Sequence, residues 1–322
     1  MKTRILVTIG DINGIGPEII IKTLKRKSFI KKYDITVVSP FSVLSYYSKL
    51  YNVKLTANNF NIIPAGSEKV KVKPGKITAE SGFISGLAIQ IAIELCLGGE
   101  YDAIVTEPIS KKALNMGGFI YDGHTEMLTD LGKAKDSCMI MLSHKINIGF
   151  ATTHPPLSKA AGLITKKLLE SKISVCYHSL KKDLRIKKPE IGVLGLNPHA
   201  GDSGLIGNEE IKIISPAINS LRKKYKDAEI QGPFSPDAYF ASKHYDNYDM
   251  TFAMYHDQGF IPFKMLAGHY GTNFTAGLSF VRTSPDHGTA FDIAGKNSAS
   301  ETSLIEAIKW ADKIHKNRIN FN

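Results

Sequence analysis

The segment 255–282 concentrates the residues of this chain that could do chemistry. It offers an imidazole, a carboxylate, an ammonium, an amide and a guanidinium, carried by His256, Asp257, Lys264, Asn273 and Arg282. Neighbouring imidazole and carboxylate groups suit a metal ion, and Lys, Asn and Arg suit an anionic, oxygen-rich substrate. We therefore predict one wall of an active site here, with the apolar stretches 260–266 and 278–281 as short buried elements that carry the polar groups.

Three histidines each follow the end of an apolar, strand-like run. They are His154 in FATTH, His199 in LGLNPH and His256 in FAMYH. A single histidine in such a place is more often a hydrogen-bonded turn residue than a ligand. Three in the same setting favour a shared metal site, because the strands of an open α/β sheet place ligands at their carboxyl ends. Without a cysteine among them, they indicate Zn²⁺, Co²⁺ or another divalent ion with an open position for substrate oxygens.

Two predicted element boundaries offer further polar groups. A strand over 101–106 delivers residues 107–111 at its carboxyl end, which is a ligand position in open α/β sheets. The run GHTEM predicts the start of a helix at His124 and Thr125. Backbone donors and the helix dipole at such a start favour a phosphate or a carboxylate.

Strand-length apolar runs alternate with helical patterns along the chain, which predicts an α/β fold. The first strand covers 4–10 and leads through GDINGIGPE into a helix, where Pro17 suits the first helical position and Glu18 the positive end of the dipole. Only G-x-G is present, so a tight strand-to-helix turn is preferred over a dinucleotide fingerprint. Elsewhere the patterns predict a strand pair at 137–143 and 146–152, a rigid turn at 232–237 and a last helix at 301–316.

Composition bounds the class of protein. The chain has 322 residues, 43% of them hydrophobic, and a formal net charge of +11. The basic clusters at 22–32, 181–188 and 222–226 lie in or beside predicted helices without interleaved aromatics, so we interpret them as solvated helix faces and expect no nucleic-acid partner. The first apolar run is too short for a signal peptide or a membrane span, which predicts a cytoplasmic protein without a membrane partner. The three scattered cysteines are expected to be buried free thiols.

Five motifs together resemble the 4-hydroxythreonine-4-phosphate dehydrogenase family of vitamin B6 biosynthesis. They are GHTEML, ATTHPPLS, GLNPHAGDSG, YHDQGFIPFK and FVRTSPDHGTAFDIAG, and the likeness covers essentially the whole chain. The resemblance implies two α/β domains with an active-site cleft between them, similar in fold to isopropylmalate dehydrogenase and not a Rossmann fold. It predicts one domain from 1–126 plus 284–322 with an adenosine-binding loop. The other, 127–283, would carry the metal ligands and a dimer interface.

The resemblance also implies roles for particular residues. His154, His199 and His256 match metal ligands, with Asp237 and Asp257 as acidic neighbours that are catalytic candidates together with Lys264. The implied substrate contacts are His124, Thr125, Lys264, Asn273 and Arg282. The implied cofactor contacts lie in the loop 287–297 and are His287, Gly288, Asp292, Ala294, Gly295 and Asn297. Asp292 takes the place of the acidic residue that faces the ribose, which predicts NAD in preference to NADP.

The implied reaction is oxidation of the secondary alcohol of 4-phosphohydroxy-L-threonine by NAD with a divalent metal (Zn, Co or Mg). The product 2-amino-3-oxo-4-phosphooxybutanoate then loses CO₂ and gives 3-amino-2-oxopropyl phosphate. A sister dehydrogenase acting on threonate or erythronate 4-phosphate is the alternative, because such substrates present the same 3-hydroxyl and 4-phosphate. The resemblance further predicts a homodimer with shared active sites, each using His154 and His199 of one chain and His256 of the other.

Overall fold

The computed structural model describes residues 2–55, 60–121 and 123–321. Its eleven strands in those ranges are β1 Arg4–Thr8, β2 Asp34–Val38, β3 Asn61–Ile63, β4 Ala103–Thr106, β5 Cys138–Leu142, β6 Ile148–Phe150, β7 Glu190–Leu194, β8 Glu229–Phe234, β9 Met250–Ala253, β10 Thr272–Ala276 and β11 Val281–Pro285. Its α-helices are α1 Gly16–Lys25, α2 Lys27–Ile30, α3 Phe41–Leu50, α4 Ala79–Leu97, α5 Lys111–Met116, α6 His124–Leu131, α7 Leu157–Leu163, α8 Lys166–Lys182, α9 Ser215–Lys224, α10 Pro236–Ala241, α11 His256–Ala267 and α12 Thr302–Ile319. This alternation confirms the predicted α/β class.

The chain divides into two compact units. Unit 1 comprises Met1–Ala134 and Leu278–Lys316, and unit 2 comprises Lys135–Gly277 and Asn317–Asn322. The domains predicted from the sequence, 1–126 with 284–322 and 127–283, have their boundaries at nearby positions.

Unit 1 contains the parallel strands β3, β2, β1, β4 and β11, in that order. Most of their residues are buried and more than half are apolar, as expected of strands with both faces covered. The predicted turn from β1 into a helix is confirmed, since α1 begins at Gly16 with Pro17 in its first turn. The carboxyl ends of β1, β4 and β11 therefore point the same way and deliver Asp11, Glu107 and the residues after Pro285 to one edge.

Helix α4 has the length and apolar composition of a membrane span, but more than half of it is buried inside the protein. It packs against α5 so closely that a Cβ atom on Gly82 would lie 1.7 Å from the carbonyl oxygen of Ala113. Only glycine permits this approach of two backbones. Helix α4 is therefore used as a core helix of unit 1.

Unit 2 contains the strands β10, β5, β6, β9, β7 and β8, in that order. The predicted strand pair is confirmed, because β5 and β6 pair antiparallel. Strands β6, β9, β7 and β8 are parallel, so the residues after β6, β9 and β7 emerge at the same edge of the sheet. Those are the segments that carry the three strand-end histidines.

Two local predictions were wrong. Residues 232–234 end strand β8 instead of forming a rigid turn, and α10 follows directly. Strand β8 lies at the edge of the sheet, where Pro233 can be accommodated although it lacks a backbone donor. The stretch 260–266 lies within α11 and is not a short buried element, since Ile261 is 59% and Met265 81% exposed.

Asp11 provides a pH-dependent stability prediction. It is buried, its Oδ1 accepts a hydrogen bond from the Asn13 backbone N–H at 2.9 Å, and its Oδ2 accepts one from the Ser81 hydroxyl at 3.3 Å. Burial raises the pKa of Asp11 from 3.8 to about 6, although these two hydrogen bonds act to lower it. The stability linked to this proton is therefore fully present below pH ~4 and is lost as the pH rises through about 6, a change of about 3 kcal/mol.

Asp11→Asn keeps an acceptor for Asn13 and supplies a neutral partner for Ser81. We expect it to raise the free energy of unfolding by about 2 kcal/mol at pH 8 and to change it little at pH 4. Urea denaturation at both pH values measures this, with the exposed Asp34→Asn as control. An equal effect of Asp11→Asn at pH 4 and pH 8 would contradict the assignment.

Candidate active site

Unit 1 contains a buried cationic group beside a helix start. Arg282 lies on β11 and is 1% exposed, and its Nη2 and Nε donate to the Thr106 hydroxyl on β4 at 2.6 and 3.2 Å. Burial lowers the pKa of Arg282 to about 9, against the raising effect of the Glu126 carboxylate. Because a guanidinium in this environment is stabilised by negative charge, the position favours an anionic ligand.

His124, the first residue of α6, lies close enough to Arg282 to sense its charge. Burial, and then Arg282, lower the pKa of His124 well below its usual range, and a hydrogen bond to the Glu107 backbone opposes them. The imidazole is therefore neutral at physiological pH. Its Nε2 is buried and has no hydrogen-bond partner among the residues that the structure describes. Because the other ring nitrogen donates to the Glu107 backbone, Nε2 of the neutral ring is an acceptor, and a ligand hydroxyl can satisfy it.

The structure thus brings together two of the predicted substrate residues, His124 and Arg282, with Thr125 in the first turn of α6. Sequence reasoning missed Thr106, whose hydroxyl orients the guanidinium. It did locate Glu107 at a ligand edge, and this residue is fully buried. Burial raises the pKa of Glu107 well above its usual range, so the side chain is a neutral acid whose backbone holds His124.

The loop 287–297 packs against the turn before α1 and against the turn at Gly75, before α4, in the same unit. The Ile15 N–H donates to the Thr289 carbonyl at 3.0 Å. A Cβ atom on Gly75 would lie 3.0 Å from the Phe291 carbonyl oxygen. Of the six predicted cofactor contacts, Gly288, Asp292 and Asn297 are exposed, His287 and Gly295 are half-buried, and Ala294 is buried. Asp292 is therefore accessible to solvent.

In unit 2, His154 and His256 are neighbours. Their ring centroids are 5.9 Å apart. Two imidazoles on one tetrahedral ion, each with a metal–nitrogen bond of about 2 Å, have centroids about 5 Å apart. The observed separation therefore needs only a small rotation of the rings to place both nitrogens on one metal.

The orientation of His256 is also suited to a metal. The residue opens α11 instead of lying in a turn, and its ring stacks on Phe260 with centroids 4.1 Å apart. Its Nδ1 is 2.6 Å from Oδ1 of Asp257. Because a carboxylate only accepts, the proton lies on Nδ1 and the Nε2 lone pair remains available. This is the arrangement in which an acidic neighbour fixes the tautomer of a metal-binding histidine.

His199 lies in an unusual backbone segment after β7. Five successive residues, 199–203, have positive φ, with values from 42° to 81°, and only Gly201 among them is a glycine. Left-handed conformations of other residues cost of order 1 kcal/mol each and cluster at functional sites. The pKa of Asp237 is lowered mainly by the Ser235 hydroxyl and in part by the charge of His199, so the two lie in the same neighbourhood.

The predicted three-histidine set remains a prediction. Among the described residues, no group of three or more His, Cys, Asp or Glu side chains is placed to hold a metal ion.

The remaining predicted residues of unit 2 are Lys264 and Asn273. Lys264 lies two turns after His256 on the same face of α11, and it is exposed. The Asn273 side-chain oxygen, on β10, is buried and has no hydrogen-bond partner in the described ranges.

The fold is α/β, consistent with the dehydrogenase-like class, with a buried guanidinium beside a helix start in unit 1 and neighbouring histidines in unit 2. The model of the family described as pyridoxal phosphate biosynthetic protein PdxA matches residues 19–311. The chain belongs to this family, which confirms the resemblance predicted from its motifs.

Similar proteins carry two different names. A relative from Prosthecochloris aestuarii, named 4-hydroxythreonine-4-phosphate dehydrogenase, is 42% identical over 331 residues and 97% of each chain. A relative from Pectobacterium atrosepticum, named D-threonate 4-phosphate dehydrogenase, is 38% identical over 98% of this chain and 100% of its own. The crystal structure of 4-hydroxythreonine-4-phosphate dehydrogenase from Klebsiella pneumoniae is 36% identical, with a TM-score of 0.85 over 98% of this chain and 100% of that chain.

Proposed function

We propose that this protein oxidises the 3-hydroxyl of 4-phosphohydroxy-L-threonine with NAD and a divalent metal. The product 2-amino-3-oxo-4-phosphooxybutanoate loses CO₂ and becomes 3-amino-2-oxopropyl phosphate. The observation that carries the proposal is the group around Arg282 and His124, since it suits a phosphorylated substrate. The family and the name of the Prosthecochloris relative support the same reaction.

In unit 1, the substrate phosphate is assigned to the start of α6. Arg282 supplies a positive charge in a fixed position, because its side chain is buried and oriented by Thr106. Thr125 contributes its hydroxyl and the helix N-terminus, and Nε2 of neutral His124 accepts a hydrogen bond from a substrate hydroxyl or a protonated phosphate oxygen. Together these groups supply positive charge and hydrogen-bond donors for a phosphate, with the Glu126 carboxylate as the acidic neighbour of Arg282.

In unit 2, the metal is assigned to His154, His199 and His256. When bound, the metal would supply positive charge next to the substrate hydroxyl, and NAD would supply the hydride acceptor. Asp257 holds His256 in the tautomer that leaves Nε2 available. Lys264 Nζ is assigned to the transfer of the hydroxyl proton, Asp237 to charge balance beside His199, and the Asn273 side chain to a substrate oxygen.

NAD is assigned to the loop 287–297 of unit 1. The exposed carboxylate of Asp292 can accept hydrogen bonds from a ribose and would repel a 2′-phosphate. This is the basis for preferring NAD over NADP.

A homodimer with shared active sites is also proposed. Helix α11, which starts at His256, exposes Ile261 and Met265, at 59% and 81%. Exposed apolar side chains next to candidate ligands are suited to cover by a second subunit.

A second candidate function is oxidation of D-threonate 4-phosphate or erythronate 4-phosphate. It is supported by the Pectobacterium relative, which bears the threonate name and matches over its whole length. The two functions share the phosphate, the hydroxyl and the cofactor, and differ in the group on carbon 2.

A substrate panel tests the proposal. The purified protein is stripped with chelator, reloaded with Zn²⁺, Co²⁺ or Mg²⁺, and assayed with NAD or NADP for NADH or NADPH formation and CO₂ release. We expect the highest kcat/KM with 4-phosphohydroxy-L-threonine and NAD. Unphosphorylated hydroxythreonine should be at least about a hundredfold poorer, because charge-assisted bonds to phosphate are worth roughly 3 kcal/mol. Higher efficiency with threonate 4-phosphate would instead establish the second candidate.

A further inference from the structure

One face of α1 contacts the segment that follows the proposed adenosine loop. Glu18, Lys22 and Arg26, spaced four residues apart, lie on this face. Lys22 Nζ donates to the carbonyls of Asn297 at 3.1 Å and Ala299 at 2.6 Å. Arg26, at the end of the helix, forms a salt bridge with Glu301 at 2.5 Å. The helix therefore holds the chain between the loop and α12.

Glu18 and Lys22 form an ion pair in which both carboxylate oxygens and all three ammonium donors are hydrogen-bonded. Glu18 Oε1 accepts from Lys22 Nζ and from the Ala299 backbone N–H, both at 2.8 Å, and Oε2 accepts from the Tyr51 hydroxyl at 2.8 Å. Lys22 has three N–H donors, and Glu18, Asn297 and Ala299 take all three. Both backbone groups of Ala299 are thus bound by this one pair.

Burying this ion pair is energetically unfavourable, so its retention needs a structural reason. The Glu18 side chain is fully buried and that of Lys22 is 21% exposed. Buried ion pairs lose hydration and add little net stability, and their best-supported use is to specify one geometry. What this pair specifies is the irregular segment 297–299, where Asn297 has a left-handed φ of 59°.

The other end of the loop is tied to the same helix. The Ile15 N–H, immediately before α1, donates to the Thr289 carbonyl at 3.0 Å. The segment 289–299 is therefore anchored at both ends by α1 and the residue that precedes it. A change in the α1 contacts at one end would release the loop there while the other end stayed bound.

We propose that Glu18 and Lys22 are positioning residues for the dinucleotide: they fix residues 297–299 and thereby hold the loop 287–297 in the conformation that binds adenosine. This inference rests on the proposed assignment of that loop to NAD. It attributes part of the affinity for NAD to two side chains that lie outside the loop. Neither side chain needs to contact the nucleotide.

The test uses the double variant Glu18→Gln with Lys22→Met, which removes both charges together and leaves no unpaired buried ion. We expect amide hydrogen exchange at 297–301 to accelerate at least tenfold, and the Kd of NAD and of ADP-ribose to rise about tenfold. The KM for NAD should rise with it. The kcat at saturating NAD, the KM for substrate and the metal content should stay unchanged.

Tyr51→Phe is the matched control. It removes a hydrogen bond from the same carboxylate but leaves every contact between α1 and the loop. We expect lower thermal stability with wild-type exchange at 297–301 and wild-type Kd. The single variant Glu18→Gln, which keeps its acceptor oxygen for Ala299, should lie between wild type and the double variant.

Two results would separate the inference from the function on which it rests. A wild-type protein that binds neither NAD nor ADP-ribose would overturn the assignment of the loop. A wild-type protein that binds NAD, together with a folded double variant of unchanged Kd, would overturn the positioning role alone.

Discussion

His199→Ala is expected to remove the bound metal and to lower kcat by about a thousandfold or more. A divalent ion stabilises developing charge by several kcal/mol, and each 1.4 kcal/mol is a factor of ten in rate. The fold should survive, because His199 is exposed on a turn after β7 and contributes little to the core. Metal content by elemental analysis, activity and thermal denaturation measure the three expectations on one sample.

His144→Ala is the matched control for this experiment. His144 is also an exposed histidine of unit 2, and it lies in the turn between β5 and β6, away from the strand ends that carry the proposed ligands. The control should keep both metal and activity. The metal assignment would be wrong if His199→Ala stayed fully active after chelator had stripped its metal.

The parts of the site that could be predicted are those written in local sequence. A helix start such as GHTEM and a strand followed by histidine are signals within a few residues, so His124 and the three strand-end histidines could be located. The proximity of Arg282 to His124 could not be predicted from spacing, because β4 and β11 are 175 or more residues apart in sequence and become neighbours only in the sheet. The Thr106 contact depends on that pairing.

Lys22 shows the same limit for charged residues. The basic cluster 22–32 predicts a solvated helix face. This prediction is wrong for the Lys22 side chain, which is mostly buried and binds Glu18 and two carbonyls. The charge pattern of a helix does not reveal which distant segment packs against it. Here that segment follows 275 or more residues later in the sequence. An apolar run is similarly ambiguous at 260–266. It predicts a short buried element, whereas α11 continues through Pro262.

Subunit mixing among three inactive variants should restore activity in two pairings and not in the third. The variants are His154→Ala, His199→Ala and His256→Ala. Suppose that a site takes two histidines from one chain and one from its partner. A heterodimer then keeps one intact site when one variant lacks a histidine of the pair and the other lacks the single histidine. Random re-pairing of equal amounts makes half of the dimers mixed, so those pairings should regain about a quarter of wild-type activity.

The pairing that stays inactive identifies the two ligands that come from one chain. The family resemblance assigns His154 and His199 to one chain, whereas the 5.9 Å separation of rings within one chain would join His154 with His256. Exchange is verified first with differently tagged subunits, and bound metal is measured alongside activity. Because two lesions in one site leave the second site whole, metal content should recover in the same proportion as turnover. No recovery in any pairing after verified exchange would mean that each chain builds its own site.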